Sequence, residues 1–264
     1  MKLGFIGCGN MASAIIGGIL RQGLESPENI MASARREETL IKAEKSLGIR
    51  TTLENSQVAV WSDILFLAVK PQYLEKVLEE IRETIPEEAI IVSIAAGKTL
   101  EWLEERLGKD KIVIRTMPNT PALVGEGMTA VCANGKAGEK ELSEVRRILE
   151  CFGKSVIIPE NLMDAAIAVA SSSPAYVFLF IEALADGAVA AGMPRSQAYE
   201  FASQAVLGSA KMVLETGRHP GELKDMVCSP GGTTIEAVQI LEKCGFRSAV
   251  MEAMKACVEK SRNL

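Results

Sequence analysis

The chain of 264 residues is long enough for one large domain or for two of ordinary size. Its composition, 48% hydrophobic and 24% charged with a net charge of −5, is that of a globular protein and argues against a nucleic-acid-binding surface. The one histidine, His219, argues against a histidine metal site, and the six cysteines show no CxxC spacing. We therefore expect no metal, no nucleic-acid partner, and a cytoplasmic protein whose cysteines stay reduced.

The N-terminus combines a short apolar run with a glycine-rich turn. Residues 3–6 predict a buried parallel strand, residues 7–12 read G-x-G-x-x-A, and apolar residues then recur at helical spacing. Gly7 permits a tight turn, Gly9 leaves room for a pyrophosphate beside the backbone, and Ala12 lets the helix pack on the strand. This context predicts a dinucleotide site with phosphate at the start of the helix. The alternative is a tight turn in another kind of α/β protein.

The second predicted strand, residues 30–34, bears on which dinucleotide binds. In NAD enzymes an acidic residue usually ends this strand and binds the ribose hydroxyls. Here the chain continues through Ser33, Ala34, Arg35 and Arg36. Because arginine and serine bind a 2′-phosphate that a carboxylate would repel, the pattern favours NADP(H), with NAD(H) as the alternative cofactor. The competing interpretation is an exposed helix start with two ordinary surface arginines.

Strands and helices alternate up to residue 158, which predicts an α/β fold with a Rossmann-like parallel sheet. Further strands are predicted at residues 64–69, 89–94, 111–115, 127–132 and 155–158, and helices at 71–84, 100–107 and 138–151. In such a sheet, cofactor contacts come from the carboxyl ends of strands, here Gly7, Ser33, Lys70, Ala95 and Met117. Lys70 is either a charge near the cofactor ribose or a surface lysine beside Pro71.

Beyond residue 159 the pattern is almost entirely helical. We therefore predict a dinucleotide-binding domain at residues 1–159 and a helical domain for substrate binding and dimerisation at residues 160–264. The most apolar region, residues 165–192, is interrupted by Ser173, Pro174, Glu182 and Asp186, which argues against a membrane span. A helix that is apolar on nearly every side is buried within a core or between subunits.

A second candidate site for an anion lies at residues 230–234. Pro230 and two glycines give an extended approach with free N–H groups, and Thr233 and Thr234 stand where a helix begins. Taken alone, this segment favours an ordinary capped helix, since threonine is a common N-cap residue. Opposite a nicotinamide domain, however, an anion site suggests a substrate that carries a carboxylate.

Five motifs together resemble one family, pyrroline-5-carboxylate reductase, over essentially the whole chain. They are residues 5–12 (FIGCGNMA), 66–71 (FLAVKP), 117–121 (MPNTP), 174–176 (PAY) and 229–234 (SPGGTT). The resemblance implies an oxidoreductase that uses NAD(P)H to reduce the cyclic imine 1-pyrroline-5-carboxylate to L-proline, the last step of proline biosynthesis. It also implies a homodimer interlocked through the helical domain, often assembled further into a homodecamer, a pentamer of dimers, and no membrane partner.

The strand-end argument and the resemblance together assign the site residues. The cofactor-binding set is Ile6, Gly7, Cys8, Gly9, Asn10, Met11, Ala12, Ser33, Arg35, Asn55, Ala68, Val69, Lys70, Pro71, Ala95, Ala96, Gly97, Met117 and Asn119. The substrate-binding set is Glu160, Val227, Gly232, Thr233 and Thr234. A protonated imine is already electrophilic, so the site must mainly align it with the nicotinamide. Thr234 is the catalytic candidate, through a hydrogen bond near the ring nitrogen.

Two segments depart from the family pattern. The family usually has Ser-Gly-Ser-Gly before Pro174, where this chain has Ala170, Ser171, Ser172 and Ser173, and it more often has threonine or serine at Cys228. If the serine turn required a positive φ, serine would cost about 1 kcal/mol there.

Two other functions compete with the reductase. A β-hydroxyacid dehydrogenase would need a catalytic lysine in the helical part, which would be Lys211 or Lys224. A non-catalytic NADP-binding scaffold would use the fold for interaction only. The SPGGTT segment argues against both, since it provides an anion site in the helical domain.

Overall fold

The computed structural model describes residues 1–263, which form two compact units. The first unit is Met1–Ser172 together with the segment from Cys257 onward, and the second is Ser173–Ala256. The sequence-based boundary after residue 159 marks the end of the last predicted strand, whereas the first compact unit also includes the helical turns that follow it. The division at residue 159 stays a prediction.

The first unit is built on one sheet of eight strands in the order β3-β2-β1-β4-β5-β6-β7-β8. The strands are β1 Leu3–Ile6, β2 Ile30–Ser33, β3 Arg50–Thr52, β4 Ile64–Leu67, β5 Ile90–Ser93, β6 Ile112–Met117, β7 Gly127–Ala133 and β8 Gly153–Ile157. The helices are α1 Asn10–Arg21, α2 Glu37–Leu47, α3 Asn55–Trp61, α4 Pro71–Ile81, α5 Leu100–Leu107, α6 Glu139–Leu149 and α7 Met163–Ala166. The order of β1 to β6 is that of a doubly wound dinucleotide-binding fold, which confirms the predicted fold class.

One pair of neighbouring strands breaks the expected parallel pattern, because β6 and β7 run antiparallel. Only residues 118–126 join them, including a 3₁₀ turn at Thr120–Val124. A parallel crossover needs a dozen or more residues, so this short connection makes the chain turn back on itself. The α6 helix joins β7 to β8, and that pair is again parallel.

The sheet has an apolar layer on each face, because alternate side chains of a strand point to opposite sides. Phe5 of β1 stacks on Phe66 of β4 on one face, with ring centroids 4.7 Å apart and planes 7° apart. On the other face Ile6, Leu65 and Leu67 pack against α3, α4 and α5. Strands buried on both faces read as continuous apolar runs, as β1 and β4 do.

The chain leaves the sheet through a helical segment with a changed pitch. A 3₁₀ turn at Glu160–Leu162 leads into α7 and then a π-helix at Ile167–Ser171. No non-glycine residue within 1–263 has a positive φ, and this includes Ser171 and Ser173, which stand where the family has glycines. The serines that replace the family's glycines therefore carry no left-handed strain.

The second unit consists of helices, with α12 continuing past its end. They are α8 Ser173–Ala190, α9 Arg195–Thr216, α10 Pro220–Val227, α11 Thr233–Lys243 and α12 Phe246–Arg262. Small buried residues, Ala185 of α8 with Ala198 and Ala202 of α9, form the centre of the contact between these two helices. Large apolar side chains such as Phe178, which is 62% exposed, stay uncovered in one chain.

One helical stretch in the described part of the chain, Glu160–Ala190, is long and apolar enough to cross a membrane by length and composition. Most of it is not buried within the single chain. An apolar face of this kind also suits an interface between subunits.

Candidate cofactor and substrate sites

The turn between β1 and α1 has the geometry that a dinucleotide requires. Gly7 has φ +98°, and a Cβ there would lie 2.6 Å from the Ala68 carbonyl oxygen, so only glycine fits. Gly9 is exposed, with no atom within 4 Å of the position that its Cβ would take. Ala12 is buried where α1 packs on the sheet. The turn therefore presents the open N-terminus of a twelve-residue helix, which is suited to a pyrophosphate.

Residues on either side of Gly9 take different positions. Asn10 is exposed and Met11 half-buried in the first turn of α1, whereas Ile6 and Cys8 are buried. Burial raises the pKa of the Cys8 thiol, and a smaller effect of a hydrogen bond with Ser13 lowers it. Cys8 is thus a protonated, packed side chain at this turn, and a reactive thiolate is disfavoured.

At the end of β2 the structure brings together two residues of the predicted cofactor set. The Ser33 hydroxyl donates to Asn55 Oδ1 at 2.7 Å, and Asn55 Nδ2 donates to Glu80 Oε2 at 2.9 Å. The Arg35 guanidinium lies 4.5 Å from the centroid of the Tyr73 ring. The sequence interpretation missed Glu80 and Tyr73, because α4 showed only an amphipathic pattern that gives no sign of a partner on β2 or α3.

Further predicted cofactor positions follow the carboxyl ends of β4 and β5. Ala68 and Val69 are half-buried, and exposed Lys70 precedes Pro71, the first residue of α4. Ala95 is buried, with its N–H 3.3 Å from Ser93 Oγ. Ala96 and Gly97 are half-buried, and Gly97 has φ +72°. Small side chains here leave the backbone accessible to a flat ligand.

Two predicted cofactor residues, Met117 and Asn119, lie at and just after the end of β6, and they differ in burial and in hydrogen bonding. Met117 is half-buried, and Asn119 is buried with both polar atoms of its side chain engaged. Its Nδ2 donates to the Ala170 carbonyl at 2.9 Å, and its Oδ1 accepts from the Met128 N–H at 2.8 Å. Asn119 therefore fixes the π-helix against the start of β7.

Glu160 lies beside the cofactor edge, within the first unit. Its Oε1 accepts from Arg115 Nη1 and from the Leu100 N–H, each at 2.8 Å. Gly97 and Glu160 line the same pocket of about 390 Å³. Burial, then the Glu160 charge, raises the pKa of neighbouring Cys132 to about 11, against a smaller lowering effect of Arg115. A residue assigned to substrate and one assigned to cofactor thus share one cavity.

The second candidate site for an anion, at residues 230–234, lies in the second unit. Gly231 has φ +69°, and Gly232 is the extended N-cap of α11, without a side chain to bond the first-turn N–H groups. Thr233 is exposed and Thr234 half-buried in that first turn, and Val227 is exposed at the end of α10. Uncapped N–H groups beside hydroxyls are suited to a carboxylate.

The remaining candidates of the helical part have local partners. His219 Nδ1 accepts from the Gly221 N–H at 3.0 Å and so caps α10. Lys211 pairs with Glu215 at 3.4 Å, and Lys224 pairs with Asp225. Within residues 1–263 no cluster of three or more histidine, cysteine, aspartate or glutamate residues could hold a metal ion.

Two protein families match parts of the chain. Residues 160–264 match the family described as "Pyrroline-5-carboxylate reductase dimerisation". Residues 2–97 match the family described as "NADP oxidoreductase coenzyme F420-dependent". Together the two matches cover the glycine turn and the SPGGTT segment.

Relatives of known name align over nearly their whole length. The chain is 52% identical over 263 residues to "Pyrroline-5-carboxylate reductase" of Escherichia coli (strain K12), covering 100% of this chain and 98% of that protein. A crystal structure of Plasmodium falciparum pyrroline carboxylate reductase with NADP bound is 34% identical, with a TM-score of 0.91, covering 100% of this chain and 97% of that one. A pyrroline-5-carboxylate reductase from Coxiella burnetii is 33% identical with a TM-score of 0.92, covering 99% and 97%.

Proposed function

Because the chain belongs to the pyrroline-5-carboxylate reductase family, we propose that it reduces 1-pyrroline-5-carboxylate to L-proline, with the cofactor bound at the turn of residues 7–12. The 52% identity over the full chain to a reductase of that name carries this function. The cofactor is NADP(H), as in the NADP-bound structure of the same family. The family resemblance, the enzyme class and the cofactor predicted from the sequence are thereby confirmed.

The cofactor half of the site works by orientation. When bound, NADPH supplies a hydride to the imine carbon, and the ring C=N of the protonated imine becomes the C–NH of proline without a further proton from the protein. The open N-terminus of α1 beyond Gly9 holds the pyrophosphate, and the small residues Ala95, Ala96 and Gly97 leave room for the nicotinamide. Catalysis then comes mainly from alignment.

The substrate half of the site is the N-terminus of α11. Its uncapped N–H groups receive the substrate carboxylate, and the Thr233 hydroxyl adds a donor. Thr234 provides a hydrogen bond near the ring nitrogen, which orients the imine for hydride transfer. Glu160 and Val227 are further substrate residues in this proposal, and Glu160 lines a pocket together with Gly97.

The charges just past the end of β2, where the 2′-phosphate of NADPH would bind, favour NADPH over NADH. Arg35 is exposed, takes part in no ion pair among the described residues, and is held over the Tyr73 ring. A free guanidinium there attracts a 2′-phosphate that NADH lacks. Lys70 adds a second exposed cation at the start of α4, near the ribose.

The helical part supports assembly. It matches a dimerisation family, and α8 exposes a row of large apolar side chains in one chain. We place this row, with residues 165–192, between two subunits, and five such dimers in a decamer. All six cysteines are free thiols, which suits the reducing cytoplasm that we propose as the location. The proposal includes no nucleic-acid or membrane partner.

One assay tests the function. Purified protein is mixed with NADPH and 1-pyrroline-5-carboxylate, and cofactor absorbance is followed while proline is quantified. We expect one proline per NADPH oxidised. The same protein with NADP⁺ and a 3-hydroxy acid tests the dehydrogenase alternative. Turnover of the hydroxy acid, or binding of NADPH without turnover of the imine, would contradict the proposal.

A further inference from the structure

The side chain of Asn55 links the last residue of β2, Ser33, to the carboxylate of Glu80, although β2 itself carries no acidic residue. In NAD enzymes the acidic residue that binds the ribose hydroxyls ends this strand. Here Ser33 occupies that end, and the nearest carboxylate of the network comes from α4, where Glu80 Oε2 accepts from Asn55 Nδ2 at 2.9 Å. Asn55 Oδ1 in turn accepts from the Ser33 hydroxyl at 2.7 Å.

Glu80 dictates the direction of this network. An ionised carboxylate can only accept hydrogen bonds, so the Asn55 amide must turn its NH₂ toward Glu80 and its oxygen toward Ser33. In that orientation Asn55 Oδ1 accepts the hydrogen bond that the single hydroxyl hydrogen of Ser33 can donate. The Ser33 oxygen is then left to act as an acceptor, which suits a ribose hydroxyl. A 2′-phosphate needs a hydrogen-bond donor, so it could bind the Ser33 hydroxyl only if that hydroxyl gave up its hydrogen bond to Asn55.

The opposite preference for NADPH comes from Arg35, two residues beyond Ser33 in the chain. Arg35 lies over Tyr73 with its charge free of an ion pair among the described residues. A cation that attracts the 2′-phosphate and a carboxylate that disfavours it thus act at one strand end. The two effects oppose each other, which keeps both cofactors within reach of the enzyme.

We propose that Glu80 is a positioning residue for cofactor choice, which acts through Asn55 and Ser33 to limit the preference for NADPH over NADH. The inference rests on the proposed cofactor site at residues 7–12. It assigns to Glu80 no contact with the cofactor. Its effect comes from its charge and from the orientation that it imposes on Asn55.

The test compares Glu80→Gln with Glu79→Gln, an exposed neighbour on the same helix that undergoes the same change of charge. For each protein, kcat/KM is measured with NADPH and with NADH, and the affinities are measured by fluorescence titration without substrate. In Glu80→Gln the NADPH/NADH ratio should rise about fivefold, since the loss of one negative charge near a phosphate favours its binding. The higher ratio should come from tighter binding of NADPH. The difference between Glu80→Gln and the parent should become smaller as the salt concentration rises. Glu79→Gln should keep the parent ratio.

A second variant tests the opposite direction. Asn55→Asp places a carboxylate directly against Ser33, and its NADPH/NADH ratio should fall below that of the parent. An unchanged ratio in Glu80→Gln, or an equal change for both cofactors, would overturn the inference and leave Glu80 a structural residue. Failure of the proposed function differs from this, since the parent itself would then oxidise neither cofactor with the imine.

Discussion

Glu160 and Arg115 form an ion pair of 2.8 Å whose arginine side chain is only 6% exposed. The same carboxylate oxygen accepts from the Leu100 N–H, so Glu160 joins β6 to the start of α5. A buried guanidinium without a partner is costly, which makes this pair necessary for the local structure whatever it does for the substrate.

Replacing Glu160 separates these two roles. We expect Glu160→Ala to lower the free energy of unfolding by about 3 kcal/mol, because Arg115 stays buried without an anion. Glu160→Gln keeps an acceptor for Arg115 and Leu100 and should lose less. Chemical denaturation measures both variants. If Glu160 also contacts the substrate, the KM for the imine rises in Glu160→Gln while the affinity for NADPH holds. Equal stability of the alanine variant and the parent would contradict the structural role.

Arg35 carries the prediction on cofactor selectivity. Arg35→Asp should abolish the preference for NADPH, because the guanidinium that meets the 2′-phosphate is replaced by a repelling carboxylate. Tyr73→Leu should weaken the preference partially, since it removes the ring that holds Arg35. Lys42→Asp, on the exposed side of α2, is the control for the change in net charge. The readout is the ratio of kcat/KM for NADPH and NADH. A parent with equal values for the two cofactors would count against the prediction.

The fold was predictable from sequence wherever burial dominates. The strand at residues 64–67 is apolar throughout and buried on both faces, so its pattern is unambiguous. Arg50–Thr52 escaped prediction because it is a three-residue strand at the edge of the sheet, with no apolar residue. The antiparallel direction of β7 was not predicted for another reason. The length of the connection between two strands, and not the residue pattern within a strand, decides whether they run parallel or antiparallel.

The site was less predictable, because partners come from distant segments. Asn119 follows a strand and was assigned to the cofactor, but its amide bonds the backbone of Ala170, 51 positions further along. Glu160 accepts a hydrogen bond from Arg115, which lies 45 positions earlier in the chain. Local motifs identify backbone geometry, such as the turn at Gly7, since a tight turn depends on neighbouring residues alone. They carry no information about which long-range partner a polar side chain will find.

Subunit association is tested at Phe178, which is 62% exposed in one chain on α8. Phe178→Asp should raise the dissociation constant of the dimer more than tenfold, because it places a charge where the proposed interface is apolar. Val60→Asp is the matched control, being 61% exposed in the first unit. Light scattering at micromolar concentration measures the mass of each protein. A monomeric parent would contradict the proposed interface, and dissociation of both variants would show that the effect is not specific to α8.

Thr234 tests the placement of the substrate. Its hydroxyl lies in the first turn of α11, a helix whose N-cap is the glycine Gly232. If Thr234 has only a structural role, Thr234→Ala should change the stability by no more than about 0.5 kcal/mol and leave the kinetics unchanged, because Gly232 and not Thr234 is the N-cap. If it bonds the substrate, kcat/KM for the imine should fall by roughly tenfold to a hundredfold, the value of a hydrogen bond to a charged partner.

We predict the second pattern. NADPH affinity should hold, because the proposed cofactor residues belong to the first unit, and Thr234→Ser should retain most of the activity through its hydroxyl. Steady-state kinetics with the imine, fluorescence titration of NADPH and chemical denaturation measure the three quantities on the parent and both variants. A folded Thr234→Ala protein with the parent's kcat/KM would reduce Thr234 to a helix-forming residue. The N–H groups of α11 would then have to hold the substrate carboxylate without a hydroxyl near the ring nitrogen.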